Sequence, residues 1–335
     1  MFKATIKQVA AEAEVSTATV SRVLNSSLKV SDEAKRRVTE AIAKLHYEPS
    51  AIARSLKQDK TYMIGIIVPD ITNPYFMEIS KGIEDTVGQR GFQLMFCSSN
   101  ENTEKESRLL QHLNEKRVDA IVIATAGGNG NKIESMSRSG LPVVLIDRSL
   151  EGREDLKKLD LIAENNAEGA FRLTKRLLED GHTALGVVNG PSSVSTGRER
   201  HEGVLRAMRE RGIERPLHVY NGDFSVEGGI RAVRRFWQAD HKPTAIVSLN
   251  NRMTFGVLLE LIRSGLRIPS DVAIASFGEV EAGRLLKKPR LYYIDQQPYD
   301  MGKRAGELLL SRMNKQDDGV FPHLELFSHQ IKCIP

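Results

Sequence analysis

Cysteine and long apolar runs are both scarce in this chain. Only Cys97 and Cys333 occur among 335 residues, and the eight histidines are scattered without the spacing of a metal site. Cys97 ends the apolar run Phe92–Cys97, which reads as a buried strand and not as a reactive thiol. No apolar stretch approaches the roughly 20 residues needed to span a bilayer. Met1 to Ala13 carries polar and charged residues where a secretory signal has an apolar segment, so the expected location is the cytoplasm, with no membrane partner. The stretch Gly127-Gly128-Asn129-Gly130-Asn131-Lys132 is glycine-rich but lacks the Gly-Lys-Ser/Thr ending of a phosphate loop, and reads as a turn. Without a nucleophile arrangement, a metal cluster or a phosphate loop, neither an enzyme nor a cofactor is expected.

What is present is ordinary in amount and uneven in placement. Hydrophobic residues make up 40% and charged residues 27%, which suits a globular chain long enough for two or three domains of the usual ~100–200 residues. The net charge is +5, yet residues 1–60 alone hold eleven Lys and Arg against seven Asp and Glu. Such an excess fits a segment facing phosphates, and equally a solvated basic helix.

Periodicity narrows the choice. From Ile6, apolar residues recur at Val9, Ala10 and Ala13, one face of a helix about two turns long. Val15 follows in a short turn, and Ser16 is a good N-cap for a second helix carrying Val20, Val23 and Leu24 inward. A third helix is predicted from the cap Ser31 to Leu45, with Ala34, Val38, Ala41, Ile42 and Leu45 completing a three-helix core. This is a helix-turn-helix, with a three-helix protein-interaction module as the alternative. Because the apolar face of the second helix is turned to the core, Thr17, Ala18, Thr19, Ser21 and Arg22 face outward, toward a major groove. Arg22 can pair bidentately with guanine, Thr17 and Ala18 offer methyl contacts to thymine, and Thr19 and Ser21 suit phosphates. Pro49 stops the third helix. Ser50 to Lys57 then offers a turn or two of helix too short to be stable alone. Two such helices from a dimer, docked in a minor groove, would stabilise each other, with Leu56 as the wedge that unstacks a base step.

The run Thr5 to Ala10, the run Val15 to Asn25 and the run Leu45 to Leu56 together resemble the DNA-binding head and hinge of the lactose/purine repressor (LacI/GalR) family. The resemblance implies DNA contacts at Thr5, Ser16, Asn25, Ala53 and Lys57 beside those just named, and an operator of inverted half-sites around a kinkable CpG step. Glu14 departs from it, since members commonly have Gly or Asn in that turn; at positive φ a glutamate is strained by ~1 kcal/mol or more.

Beyond Tyr62, apolar runs alternate with amphipathic helical stretches: Tyr62–Val68, Phe92–Cys97, Ala120–Ala124, Val143–Ile146, Ala184–Val188, Ala245–Leu249 and Val272–Phe277. Continuous apolar strands separated by helices imply parallel sheets covered on both faces. The resemblance implies a periplasmic-binding-protein-like α/β body of two lobes, with chain crossings near Ala163, Asp295 and Phe321. The domains are then a head over 1–48, a hinge over 49–61 and a body over 62–335. Its N-lobe takes about 62–163 and 296–321, and its C-lobe about 164–295 and 322–335.

Ligands of such sheets bind at the carboxyl ends of the strands. The resemblance places effector contacts there on Tyr75, Phe76, Asp147, Arg148, Thr196, Arg200, Phe224, Asn250 and Gln297. Phe76 and Phe224 also have a plain reading as core packing. Members that hold neutral sugars typically carry Asp where this chain has Gly278 and in the pair that here reads Asn250-Asn251. Both carboxylates are missing, while Arg148, Arg198, Arg200 and Arg252 gather near the same mouth. A guanidinium is the natural partner of a carboxylate or phosphate, so the expected effector is an anionic sugar: a hexuronate, a gluconate-type or keto-deoxy acid, or a sugar phosphate. The alternative is that these arginines pair with Glu199, Glu279 or Glu281.

The expected protein is a repressor of carbohydrate catabolism genes, bound to its operator as a homodimer and controlled by the effector. A neutral sugar, a nucleobase or a phosphocarrier corepressor are alternative controllers, and a sugar-binding transport protein is the alternative of another class. The last residues, Leu324 to Pro335, show no sustained heptads, so a coiled-coil tetramer is not expected. Leu56→Ala is expected to weaken operator binding and DNA bending together; gel-shift titration with circularly permuted operators reads both, and unchanged bending would count against the wedge.

Overall fold

The computed structural model describes residues 4–24, 30–47, 60–150, 159–286, 290–314 and 322–335. It divides into two compact units, Met1–Thr61 and Tyr62–Pro335. Among the described residues no helix is long and apolar enough to cross a membrane.

The first unit contains helices Ile6–Glu12, Thr17–Leu24 and Asp32–Lys44. Each start has a polar cap. Thr5 and Gln8 form a reciprocal capping box, Thr19 N donates to Ser16 Oγ at 3.1 Å, and Ala34 N donates to Ser31 Oγ at 3.4 Å. Val9, Ala10, Ala13, Val20, Val38 and Ala41 make the buried core, with Val15, Val23, Leu24, Ile42 and Leu45 packed against it. The tight turn is a Schellman motif: Val15 N bonds to Ala10 O and Glu14 N to Ala11 O. Glu14 occupies its left-handed position at φ 48, where glycine is usual. Residues 25–29 and 48–59, and with them the contacts expected of Asn25, Ala53, Leu56 and Lys57, lie outside the described residues.

The second unit holds two six-stranded sheets. Strands β1 (Met63–Val68), β2 (Gln93–Ser98), β3 (Ala120–Ile123), β4 (Val143–Ile146), β5 (Asp160–Glu164) and β11 (Leu324–Phe327) form the first, in the order β11-β5-β4-β3-β1-β2. All of its pairings are parallel. Strands β6 (Leu185–Asn189), β7 (His218–Asn221), β8 (Ala245–Ser248), β9 (Ala273–Ser276), β10 (Leu291–Asp295) and β12 (Gln330–Ile334) form the second, in the order β12-β10-β9-β8-β6-β7. Only β12, which runs antiparallel to β10, breaks its parallel pattern.

Burial on both faces explains the unbroken apolar runs. In β1, Ile64, Ile66 and Val68 face one core together with helices Pro74–Val87 and Pro298–Met313, while Ile67 faces the other with helices Thr103–Glu115 and Gly130–Arg138. The second sheet is covered by Asn166–Glu179 and Ser195–Glu210 on one side and by Val226–Gln238 and Asn251–Arg263 on the other. Helices Pro74–Val87 and Pro298–Met313 touch backbone to backbone at two glycines. A Cβ on Gly82 would stand 2.2 Å from Tyr299 O, and one on Gly302 would stand 1.9 Å from Ile79 O.

The chain passes from the first sheet to the second after β5 and returns after β10. The third passage differs from the expectation. Because β11 pairs with β5, the chain leaves the first sheet after Phe327, through Ser328 and His329, and not near Phe321. Its alternating Leu324-Glu325-Leu326-Phe327 has the pattern of an edge strand, and Leu161 N is bonded to His323 O just ahead of it.

Replacing Glu14 with glycine removes the left-handed strain at the cost of one exposed ion pair with Arg37, at 3.8 Å. Glu14→Gly is expected to stabilise the three-helix unit by about 0.5–1 kcal/mol. Hydrogen exchange at the buried amides of Val20 and Val38 measures it, and slower exchange is the expected result.

Candidate functional site

The carboxyl ends of the two sheets enclose a cavity of about 450 Å³. That is within the usual ~300–1,000 Å³ for a small-molecule site. From the first sheet, the segments after β1, β2 and β4 supply Tyr75 and Phe76, then Asn100 and Glu101, then Asp147 and Arg148. From the second sheet, the segments after β6 to β9 supply Thr196 and Arg200, then Asp223 and Phe224, then Asn250 and Asn251, then Phe277. Gln296, in the second passage between the sheets, closes the wall.

Several of these side chains are aimed by backbone that L-residues adopt reluctantly. Asp147 has φ 65, and Arg148 N bonds to Ile146 O at 2.7 Å, a three-residue turn that sets an acid and a base side by side. Asn100, Glu101 and Phe224 also have positive φ, at 54, 53 and 60. Such strain gathers where a surrounding structure holds ligand-facing groups in place.

The charged groups form one buried network. Arg148, 3% exposed, donates two 2.7 Å bonds to the carboxyl oxygens of Glu101 and one of 3.1 Å to Thr125 O. Burial alone would depress its pKa, but Glu101, then Asp147 and Glu106, hold it above its ordinary value. Arg200, 5% exposed, donates to Asn166 Oδ1 at 2.7 Å and Leu249 O at 2.9 Å, and lies 3.8 Å over the Phe277 ring. Burial pulls its pKa down, opposed by Asp147, Tyr75 and Glu164. Burial raises the Asp147 carboxyl, against the guanidiniums of Arg200 and Arg148. The Tyr75 hydroxyl lies 3.0 Å from Asp147 Oδ1 and 3.3 Å from Glu164 Oε1, and holds one proton for the two acceptors. Its pKa stands well above the ordinary value through burial, then through both carboxylates.

The lobes also meet directly at the lip. The side-chain amides of Asn73 and Asn251 exchange bonds of 3.3 and 2.9 Å, Arg252 Nη2 reaches Thr72 Oγ1 at 3.4 Å, and Ser149 N donates to Ser195 Oγ at 3.0 Å.

Of the residues expected at the effector site, the cavity brings together Tyr75, Phe76, Asp147, Arg148, Thr196, Arg200, Phe224 and Asn250. Phe76 and Phe224 line the cavity and also belong to apolar cores. Thr196 Oγ1 is buried with no hydrogen-bond partner among the described residues. Three expected residues stand elsewhere. Arg198 is exposed and donates to Ser192 O at 2.9 Å, on the far side of its helix from Arg200. Arg252 lies at the lip between Thr72 and Asp70. Gln297 is exposed, and its neighbour Gln296 lines the cavity instead. Of the acids expected as alternative partners, Glu279 pairs with Arg284, and Glu199 accepts from Asn166 while burial raises its pKa against the nearby Arg200 and Arg198.

Sequence reasoning missed Glu101, Asp223 and Gln296. The strand-end rule, extended to the run Phe92–Cys97, points to Asn100 and Glu101; nothing in the local pattern singles out Gln296 over Gln297. In the first unit, Thr5, Ser16, Thr17, Ala18 and Arg22 are exposed, while Thr19 and Ser21 are half-buried. Ser16 and Thr19 bond to each other at 2.9 Å. Among the described residues no group of side chains is arranged to hold a metal ion.

Residues 5–50 match the model of the bacterial regulatory proteins of the lacI family, and residues 61–320 that of periplasmic binding proteins and the sugar binding domain of the LacI family. The chain is 35% identical to the HTH-type transcriptional repressor PurR of Aliivibrio salmonicida over 312 residues, 92% of each chain. It is also 35% identical to PurR of Pasteurella multocida, covering 94% of this chain and 93% of that one. Among solved structures, the lac repressor dimer bound to operator and the anti-inducer ONPF superposes with a TM-score of 0.84 at 23% identity, covering 99% of this chain and 98% of that one. The CelR–cellobiose complex superposes at 0.72 and 25% identity, covering 98% of each. The chain belongs to the lacI family of bacterial regulatory proteins, and is a DNA-binding transcription regulator, not an enzyme.

Proposed function

We propose that this regulator is a repressor that reads a palindromic operator as a dimer and is controlled by an uncharged, hydroxyl- or N–H-bearing ring held in the cavity between its lobes. On the head, Thr17, Ala18 and Arg22 are the exposed residues of the second helix that suit base contacts, with Ser16 at its cap toward phosphate.

One observation carries the choice of effector. The two guanidiniums that line the cavity are already engaged, Arg148 by Glu101 and Arg200 by Asn166 and Leu249 O, while four acids line the same space: Asp70, Glu101, Asp147 and Asp223. Asp223 is paired with Arg231 and Asp70 stands 3.9 Å from Arg252, so these charges are largely balanced, and what an added carboxylate or phosphate lacks there is a guanidinium without a partner. A neutral ring can instead donate to those acids and stack on Phe76, Phe224 or Phe277. Relatives of this fold carry neutral sugars, such as the cellobiose of CelR, and also an anionic one, the fructose 1-phosphate of Cra. A nucleobase meets the same description as a neutral sugar: a flat ring with N–H donors.

A sugar acid keeps one point in its favour. Arg200 Nη2 has Asp147 Oδ1 at 3.9 Å as its ion-pair partner, longer than a hydrogen bond, which leaves it room for an anionic oxygen.

The effector closes or opens the lobes by binding one arrangement more tightly than the other, and operator affinity shifts by that difference. Operator binding at fixed salt, with neutral sugars, nucleobases, hexuronates and gluconate added in turn, tests the proposal. A change of about tenfold or more from a neutral ring, near 1.4 kcal/mol of coupling, with acids inert, is the expected outcome. A response to acids alone would favour the acid, and tight operator binding indifferent to every compound would move control to a protein corepressor.

A further inference from the structure

Both carboxyl oxygens of Glu101 are spent on one guanidinium of the same cavity wall. Arg148 Nη1 donates to Oε2 and Nη2 to Oε1, each at 2.7 Å, the two parallel bonds with which an arginine grips a carboxylate. The rest of the guanidinium is also faced by the chain. Nη1 donates to Thr125 O at 3.1 Å, the edge through Nε faces Asp147 Oδ2 at 3.7 Å, and the guanidinium carbon lies 5.1 Å from the centre of the Phe224 ring.

The two partners are held differently. Arg148 is fixed from behind: Thr125, whose carbonyl it bonds, donates its hydroxyl to Glu106 Oε1 at 3.0 Å, and Ala126 N donates to Glu106 Oε2 at 2.5 Å, with Glu106 fully buried. Glu101 comes from the loop after β2 and keeps a quarter of its side chain exposed, against 4% for Arg148. That loop is set for the purpose. Asn100 and Glu101 both take the left-handed conformation, at φ 54 and 53, and Ser98 Oγ donates to Asn100 Oδ1 at 2.6 Å. A carboxylate thus approaches a rigid, buried guanidinium from the solvent side, which is the geometry of a bound anion supplied by the chain itself.

We propose that Glu101 is a specificity-determining residue of the effector site: its carboxylate holds the face of Arg148 that a ligand carboxylate or phosphate would take, and so keeps acids off that guanidinium while uncharged rings are admitted. This rests on reading the cavity as the effector site. An acid entering there has to expel a carboxylate already held by two bonds, which exchanges like for like and gains nothing. The resident group is tethered, so its effective concentration exceeds that of a free acid at ordinary levels. A neutral ring leaves the pair intact.

The full chain is compared as wild type, Glu101→Gln, Glu101→Ala, Arg148→Met and the double variant Glu101→Ala with Arg148→Met. The exposed Glu104→Gln controls for the lost charge. Acetate and gluconate are titrated against each at fixed ionic strength, by calorimetry and by melting temperature, with glucose and hypoxanthine as neutral probes. Both Glu101 variants are expected to bind at least one of the acids about tenfold or more tighter than the wild type, and to gain melting temperature from it. That gain should vanish in the double variant, and Glu104→Gln should stay within about twofold of the wild type. If alanine at 101 does not fold, Glu101→Gln keeps the length without the charge and carries the measurement. A folded Glu101 variant that binds acids no tighter than the wild type overturns the proposal and leaves the effector site standing. Wild-type binding of an acid that Arg148→Met abolishes also overturns it, since Glu101 then yields to the ligand. Failure of every neutral probe on the wild type counts instead against the neutral effector, and the Glu101 variants still decide the proposal.

Discussion

Glu164 is where the two lobes are tied together. It ends β5, at the first passage of the chain from one sheet to the other, and accepts from Gln296 in the second passage and meets His329 in the third. Tyr75, from the helix that follows β1, shares its hydroxyl between Glu164 and Asp147. Its Oε1 takes the bonds from Gln296 and the Tyr75 hydroxyl, while its Oε2 lies against His329 Nε2 with no hydrogen bond among the described residues, so the contacts to this buried carboxyl come from all the segments that any lobe motion must bend. The cavity-lining acid Asp147 and the interlobe acid Glu164 are therefore joined through one phenol. A group that donated to Asp147 would compete for it with the Tyr75 proton, which Glu164 also shares.

Much of this was legible because the core obeys simple periods. The three head helices followed from apolar residues at helical spacing and from the caps Ser16 and Ser31, which the structure shows bonded to the first-turn amides. The seven strongest strands were visible as short, unbroken apolar runs. Strand β5 was not, since its sequence Asp160-Leu161-Ile162-Ala163-Glu164 has an acid at either end. Both acids are buried: Asp160 is held by Arg312 at 2.9 and 3.0 Å and by His323 N at 2.7 Å, and Glu164 by Gln296 and the Tyr75 hydroxyl. Hydropathy reads an acid as a boundary, whereas the fold uses these two inside a strand because distant segments deliver their partners.

The site was half legible for a related reason. The strand-end rule gave the region, because in parallel sheets position along the strand fixes which end a residue occupies, and the family resemblance picked Tyr75, Asp147, Arg148, Thr196, Arg200, Phe224 and Asn250 within it. Charge pairing has no such local signature. Four arginines near one mouth pointed to an anion, but Arg148 meets Glu101 from a loop 47 residues away, and Arg198 and Arg200, two apart on one helix, point in different directions. Gln296 and Gln297 likewise alternate across an extended stretch, and sequence alone does not say which faces in.

The threading of the chain through both lobes also sets the order in which they can be completed. Met301, Ala305 and Leu309, which lie in the core of the first sheet, and β11 at its edge come from the last forty residues or so, and β12 closes the second sheet only at Gln330–Ile334. A ribosome delivering the chain from its amino end at ~5–20 residues per second finishes the head many seconds before either lobe of the body has its last layer. Until then both sheets expose apolar edges and helix-binding faces. The second sheet is complete only when its final strand, Gln330–Ile334, has paired with β10.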